Sequence, residues 1–552
     1  MKRKIPFCLI AIGTLIFFLT AAFAQTPPQD KPAQKAEPEK KPVAAPPPAP
    51  TPVQTPSLPP DRKAYTDAIR VTEPQKKIEA LEKFIADFPD SFMVSSANQT
   101  ILSTLVKNSP EQLDRILAQA RKTIATAQGP SKGSTYTSVV TTLIEAGILL
   151  DKAEEMAREG LAWIEEDEAK RTRQVRAPHL VNLGRLYLKR GKTREAEKAL
   201  KEALAANPQL TDAAIGLAEL AEKKKDDKLA LEYLASALLT GRSKPAGREK
   251  FYDLYRKTHN GSLNGSAEML DVRYRKDFPS PVTVEHYKPS AARTERTVLA
   301  EVFTGSGCPP CVAADLAFDA YLERYSRKEV AVLMYHLHIP LPDPMTNPST
   351  EARSKFYAVN GVPSYVIDGE KSSGGGSRDM TKDFYVRVMP TVEKRLTAQP
   401  DATIKIDASP DGLGVKVSAR VDGVKSSSPK VKLQIVLVEE LLRYSGENGI
   451  RFHPMVVRSL AGPEAAGFAI DSAKPTSIEW KFDLNAITQT LKTHLDDFEA
   501  KRKDDKFAFV EKKHEIDAGN LSVVAFVQEE ESKKVLQAVF VKLKPSIASV
   551  ER

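Results

Sequence analysis

Residues Thr304–Tyr321 read TGSGCPPCVAADLAFDAY. Cys308 follows a short apolar run, TVLAEVFTG, with the composition of a strand. Leu316, Leu322 and Tyr325 then lie on or near one face of a predicted helix. Pro309 and Pro310 preset helical φ in its first turn, where a missing N–H costs nothing. Cys308 therefore sits at the mouth of a helix, where the positive helix end favours a thiolate. Cys311 lies one turn in, is expected to be the more buried, and can resolve a mixed disulfide. With both prolines lacking an N–H, the Cys311 amide is the nearest expected donor to the Cys308 sulfur.

Three chemistries suit a Cys pair at this spacing. As a staple it closes a four-residue loop, stabilising by roughly 2 kcal/mol at best. That is a weak brace for a chain of 552 residues. As a structural zinc site it needs four ligands. The chain has three cysteines, and the third, Cys8, is in the N-terminal apolar run. Only His336 and His338, two apart on a predicted strand, could complete such a set. The expectation is a redox dithiol with no metal and no cofactor beyond the Cys308–Cys311 disulfide itself.

Working outward, strand and helix patterns alternate through EVAVLMYHLH, STEARSKFYAV, SYVIDG and TKDFYVRVMPTVEKRL. Such alternation implies an α/β layer with parallel strands. A strand, Cys-Pro-Pro-Cys at a helix start and then NGVPSYVIDG together resemble the thioredoxin superfamily over residues 295–397. The resemblance implies a cis peptide at Val362-Pro363, opposite the Cys pair, with both residues forming the substrate groove. It implies catalysis by Cys308 and Cys311 on protein thiols and disulfides. Gly307 stands where that family has a tryptophan, and Val302 where it has a buried acid. Glu301 and His338 are then the candidates for proton transfer. The last strand of the domain is reduced to KSSGGGSRD.

Beyond Pro400 the pattern has period two, in TIKIDAS, GVKVSARVDG, KVKLQIVLVEE, SIEWKFDL, LSVVAFVQEE and KVLQAVFVKL. This predicts an antiparallel β-sandwich over 400–546, with one helix over 485–502. The domain order, with LVEELLRYSGENGIRFHPMVVRSLAG inside the sandwich, also resembles a family of outer-membrane-associated thioredoxin-like proteins. That resemblance implies an exported, envelope-associated protein.

On the N-terminal side, residues 61–259 carry helical patterns. A shift of 34 residues places Leu183 on Leu217, Gly184 on Ala218, Ala196 on Ala230, Leu200 on Leu234 and Ala203 on Ala237. Small residues recur where paired helices approach closely, and large ones where they fill a seam. The period and the positions of Gly184, Tyr187, Gly191, Ala196, Leu200, Ala203 and Pro208 resemble the tetratricopeptide repeat. One such repeat cannot bury its own face, so several stack into an α-helical solenoid. The resemblance implies a peptide or protein partner on its concave face. Turn formers over 260–294 predict a linker.

Residues 1–24 have a basic head, an apolar run and Ala22-Phe23-Ala24, the pattern of a cleaved secretory signal. An uncleaved anchor is the rival, and membrane association is expected only through this end. Residues 25–60 form a proline-rich linker without core-forming residues. The net charge is +9, or 9 − 3 = +6 beyond Lys2, Arg3 and Lys4. Acid and base are interleaved and no basic stripe with aromatics appears, so nucleic acid is excluded as a partner. The reading that follows is an exported thiol–disulfide oxidoreductase, in the periplasm or at the outer membrane, with partner-binding flanks. The alternative is an envelope scaffold whose Cys pair is structural or vestigial.

Overall fold

The 34-residue spacing reappears as repeated geometry in a computed structural model, which describes residues 59–129, 131–165, 172–463 and 466–544. The expected signal over 1–24 and nearly all of the 25–60 linker lie outside those residues. Helices α7 (Arg173–Lys189) and α8 (Thr193–Ala206) form one hairpin, and α9 (Thr211–Lys223) and α10 (Asp227–Leu239) the next. The Lys192 N–H donates to the Tyr187 carbonyl at 2.9 Å, and 34 residues on the Asp226 N–H donates to the Ala221 carbonyl at 2.9 Å. Both turns need a left-handed residue, Gly191 at φ +71° and Lys225 at φ +58°. Ala196, Leu200 and Ala203 are buried in the first hairpin, and Ala230, Leu234 and Ala237 in the second.

Among the described residues, six helices precede this pair, from α1 (Pro60–Arg70) to α6 (Leu150–Glu165), and two follow. Of the latter, α11 spans Pro245–Thr258 and α12 spans Ser266–Asp277. The N-terminal half is thus a helical solenoid of tetratricopeptide-like hairpins. The last helix, α12, occupies the stretch expected to be a linker. Its Leu270 and Tyr274, with Phe278 just beyond, share a core with Leu234 and Leu238 of α10 and with Phe251, Leu254 and Tyr255 of α11. The turn formers of NGSLNGS build only the tight connection, with Gly265 at φ +83°. Among the described residues no helix is long and apolar enough to cross a membrane.

Strand β1 (Val298–Thr304) pairs parallel with β2 (Val330–His336) and antiparallel with β3 (Ser364–Ile367). β4 (Glu370–Ser373) pairs with β3, so KSSGGGSRD does begin with a short edge strand. Helices α13 (Val312–Arg324), α14 (Pro348–Phe356) and α15 (Thr381–Leu396) connect or flank these strands. The expected parallel layer is therefore mixed: a helical crossover joins β1 to β2, but β3 runs back along β1.

The C-terminal strands are β5 (Thr403–Asp411), β6 (Gly414–Asp422), β7 (Val431–Arg443), β8 (Phe452–Leu460), β9 (Phe468–Ala469), β10 (Thr476–Asp483), β11 (Leu521–Glu529) and β12 (Val535–Lys542), with α16 over Leu484–Lys501. They do not form a separate sandwich. One sheet runs β12-β11-β7-β8-β2-β1-β3-β4, with β9 on β7. β8 joins β2 in parallel at Met334 and Val456. Only β10-β6-β5 forms a second, antiparallel sheet among the described residues.

The reason is that β7 and β11 are buried on both faces. Val436, Val438, Val524 and Phe526 point into the core shared with β1 and β2. Leu433, Ile435, Leu437, Val523, Ala525 and Val527 point into the core beneath the small sheet. Near-continuous apolar strands such as LSVVAFV belong to the middle of a layered structure.

A Cβ at Gly184 would lie 2.5 Å from both Cδ2 and Cγ of Leu200. Leu200 is fully buried and has nowhere to move. We expect Gly184→Ala to destabilise the solenoid by about 1–3 kcal/mol through overpacking, read as a lower urea midpoint of the helical transition. Ala218→Gly, at the equivalent position of the next repeat, should cost about 1–2 kcal/mol through helix propensity and the loss of a buried methyl.

Candidate functional site

Cys308 lies in an extended conformation at the end of the loop that follows β1, and Pro309–Cys311 form one 3-10 turn before α13. The two cysteines form a disulfide, with Cα atoms 5.4 Å apart. The Cys311 amide donates to the Cys308 carbonyl at 3.2 Å, so it does not serve the sulfur as expected. The Val362–Pro363 peptide is cis. The Cys308 Sγ is 3.9 Å from the Val362 carbonyl oxygen. Four of the residues singled out in the sequence thus meet at one place.

The pair is covered. Cys308 is 1% exposed and Cys311 0%, while Pro309 and Pro310 face solvent. One cover is the triple glycine after β4. The Gly376 N–H donates to the Pro310 carbonyl at 2.7 Å, and the Ala313 N–H donates to the Gly376 carbonyl at 2.9 Å. A Cβ on Gly375 would collide with the Pro310 carbonyl and the Pro363 ring. Beside the loop, the Cβ of Leu341 would be 2.9 Å from a Cβ on Gly307. No bulky side chain fits at position 307, which accounts for the glycine there.

Asp343 organises the loop before Cys308. Its Oδ2 accepts from the Ser306 N–H at 2.6 Å and faces His336 Nδ1 at 2.9 Å, and its Oδ1 accepts from the Met345 N–H at 2.8 Å. Burial would raise this carboxyl, but His336 and the two amides outweigh it and hold it at about 2. Asp315, on α13, is also buried and accepts from the Thr304 hydroxyl at 2.8 Å. Burial raises it to about 7. Neither aspartate was singled out in the sequence.

The two expected proton carriers are engaged with other partners. Glu301 is fully buried and bound by Arg353 Nε at 2.6 Å, Arg353 Nη2 at 2.9 Å, the Tyr357 hydroxyl at 2.6 Å and the Tyr335 hydroxyl at 3.1 Å. Its carboxylate is fully engaged in a structural ion pair. His338 stacks on Phe498 with centroids 3.8 Å apart, and its Nδ1 accepts from the Asp343 N–H at 2.9 Å. Burial lowers it to about 4, so it is neutral at pH 7. Among the described residues no cluster of three or more His, Cys, Asp or Glu could hold a metal ion.

A second candidate site is the groove on the inner helices of the solenoid. It has a volume of about 790 Å³ and is lined from α5 (Ser131–Ala146), α7, α9 and α11. Arg185, Arg242, Lys244 and Lys250 line it together with Asp212 and Glu219. Arg185 pairs with Asp212 at 2.9 Å, and Lys250 with Glu222 at 2.7 Å.

The tip of the β7–β8 hairpin, within YSGENGI, touches both sites. Gln209 Nε2 donates to the Asn448 carbonyl at 3.1 Å and Arg242 Nε to the Glu447 carbonyl at 3.2 Å. The Asn448 N–H donates to the Ser306 carbonyl at 3.0 Å. At the base of the tip, Arg443 and Arg451 each bind Asp271 of α12 at 2.7 Å.

Residues 187–248 match the tetratricopeptide repeat family. No curated protein matches the chain. Among solved structures, a MamA fragment from Desulfovibrio magneticus RS-1 is 14% identical, covering 32% of this chain and 91% of its own, with a TM-score of 0.25. A thermophilic TPR protein from Thermus thermophilus is 17% identical, covering 35% and 98%, with a TM-score of 0.26. The pilF protein of Pseudomonas aeruginosa is 16% identical, covering 40% and 92%, with a TM-score of 0.28.

Proposed function

We propose that this chain is a protein-binding scaffold whose solenoid groove holds an extended segment of a partner. The observation that carries the reading is the groove itself, lined by successive inner helices within and beside the matched repeats. Its excess of cations favours a segment bearing carboxylates. In the full chain, Arg242→Glu with Lys250→Glu should weaken capture of an acidic partner at least about tenfold and flatten its salt dependence. Capture is read by photo-crosslinking from position 215 on α9. Unchanged crosslinking would show that these cations do not select the partner, and absence of any crosslink from position 215 in the unmutated chain would show that the groove is not the binding surface.

A second reading, thiol–disulfide exchange, is favoured by a separate observation. The Cys308 sulfur faces the carbonyl of Val362, beside a cis proline. This arrangement, with Cys-Pro-Pro-Cys between a strand and a helix, supports the likeness to the thioredoxin superfamily. A substrate cysteine lying along Val362 would be aligned with the Cys308 sulfur. Glu301 has no part in this reading, and Val362 and Pro363 shape the approach. Exchange requires the cover of Gly374–Gly376 to open, since Cys308 is 1% exposed. A disulfide here suits an oxidising compartment, in keeping with an exported protein at the periplasm or outer membrane.

Equilibration in graded thiol–disulfide buffers, with alkylated cysteines counted by mass, tests the reading. A reversible two-electron transition is expected. Cys308→Ser should abolish exchange, and Cys311→Ser should accumulate mixed disulfides. A pair that reacts only after unfolding leaves the scaffold reading alone standing.

A further inference from the structure

A cavity of about 130 Å³ lies where α11 and α12 of the solenoid meet the base of the β7–β8 hairpin, and neither reading above uses it. Leu238 of α10 and Leu270 of α12 supply its apolar wall, and both are buried. The charged lining is mostly cationic. Arg248 comes from α11, Arg443 from the end of β7, Arg451 from the residue before β8, and Lys513 from the segment between α16 and β11. Among the described lining residues Glu511 is the one carboxylate.

The four cations share two carboxylates. Arg443 Nε and Arg451 Nε each donate to Asp271 at 2.7 Å. Arg248 Nη2 donates to Glu511 at 2.8 Å, and the Lys513 ammonium pairs with the same carboxylate. Burial would raise Glu511, but Lys513 and Arg248 outweigh it and hold it below the ordinary carboxylate range, so it is ionised at neutral pH. Two positive charges are thus unmatched in a partly enclosed space. Glu447, on the hairpin tip, is exposed and does not line the cavity. A recess in which one sign of charge prevails focuses the field and draws in counter-ions.

The donors are not used up. Arg443 and Arg248 each bind their carboxylate through one nitrogen, which leaves guanidinium N–H groups of both for another acceptor. Lys513 has three N–H bonds and one carboxylate partner. Ser445 accepts from Arg451 Nη1 at 3.3 Å, so its own hydroxyl proton is left to donate. Burial keeps the Tyr444 hydroxyl protonated, so it too is a donor. The frame is held independently of any ligand. Arg451 also donates to the Ala267 carbonyl at 3.1 Å, and the buried Arg458 of β8 donates to the Lys513 carbonyl at 2.7 Å.

We propose that this cavity binds a phosphate dianion, free or carried as a phosphomonoester, and that the bound anion fastens the hairpin to the solenoid. The volume holds several waters or one small tetrahedral ion, and is well short of the roughly 300 Å³ at which ordinary small-molecule sites begin. Guanidinium groups from α11 and from both arms of the hairpin suit the oxygens of such an ion, which accept paired N–H donors. A charge of two matches the two unmatched cations. The tip of the same hairpin reaches Gln209 at the groove and Ser306 at the Cys loop, but the proposal rests on neither reading of those sites.

Calorimetric titration of the full chain tests it, in buffer free of phosphate and sulfate, with inorganic phosphate and then with glycerol phosphate. Binding at one site is expected. Arg443→Gln leaves Arg451 on Asp271, and Lys513→Gln leaves Arg248 on Glu511, so neither strands a carboxylate. Each should weaken phosphate binding at least about tenfold, and the two together at least about a hundredfold. Lys257→Gln, which removes an exposed cation of α11 outside the cavity, should change nothing. Binding of glycerol phosphate as well as phosphate assigns the site to a phosphomonoester, and binding of phosphate alone assigns it to the free ion. No saturable binding of either probe at millimolar concentration overturns the proposal, as does binding that the double variant retains in full.

Should the double variant fail to fold, hydrogen exchange of the unmutated chain decides. Phosphate-dependent protection confined to residues 443–451, 511–513 and the facing turns of α11 and α12 supports the proposal. No protection there, or protection spread evenly over the chain, overturns it.

Discussion

The carboxylate of Glu301 is the point on which the C-terminal half turns. It sits in the middle of β1, fully buried, with four hydrogen-bond donor groups arranged around it. Arg353 reaches it from α14 and also donates to Gln528 of β11 at 2.7 Å. A lone charge in this position would be prohibitive, and a partner lost would cost about 3–5 kcal/mol. The pair therefore fixes α14 over β1 and brings β11 to the same place. Arg296 repeats the device at the other end of β1. It binds Asp368 at 2.8 Å and the carbonyls of Val535 and Leu536 on β12 at 2.7 and 3.1 Å. Two buried arginines thus bind the strands around β1 to β11 and β12, where β2 and β8 share only one bridging residue pair.

This has a consequence for the Cys pair. The loop carrying it is held by Asp343 beneath and by the hairpin tip of β7 and β8 alongside. The cover of Gly374–Gly376 is joined to Pro310 by a backbone hydrogen bond at 2.7 Å. Glycines at 305, 307 and 375 allow backbone to approach where any side chain would collide. A buried disulfide held by so many backbone contacts is unreactive until one contact yields. The triple glycine lacks side chains to anchor it, and its neighbour β4 is an exposed edge strand. That segment is the part of the enclosure with least packing to lose.

Much of this was legible in the sequence where the signal is local. The 34-residue spacing, the Cys-Pro-Pro-Cys at a strand–helix junction and the Val362-Pro363 pair are short-range patterns, and each corresponds to a feature of the fold. The misplaced readings share a cause, which is distance along the chain. Glu301 looked available because Arg353 and Tyr357 lie 52 and 56 residues away. Asn448 was invisible as a support of the Cys loop, 143 residues from Gly305. The single large sheet was misread because runs buried on both faces, such as LSVVAFV, pass for alternation when every second residue is also apolar. The α12 helix was hidden by turn formers that only introduce it.

The scaffold and exchange readings meet at the hairpin tip. Asn448 touches Gln209 at the groove and Ser306 at the Cys loop, and Glu447 receives Arg242. Contact alone does not transmit anything; coupling needs an element with two arrangements that both sites bias. The tip does not supply one, because its base is pinned by two arginines to Asp271 and its turn is closed by hydrogen bonds from Gly446 to Ile450 and from Gly449 to Gly446. What it supplies is fixed distance. If both proposed readings hold, a partner segment in the groove would be presented at a constant position relative to Cys308, and binding energy gained on the solenoid would raise the local concentration of a substrate disulfide at the pair. On this view a rigid tip is the useful property, and the mobility that exchange requires belongs to the glycine cover alone.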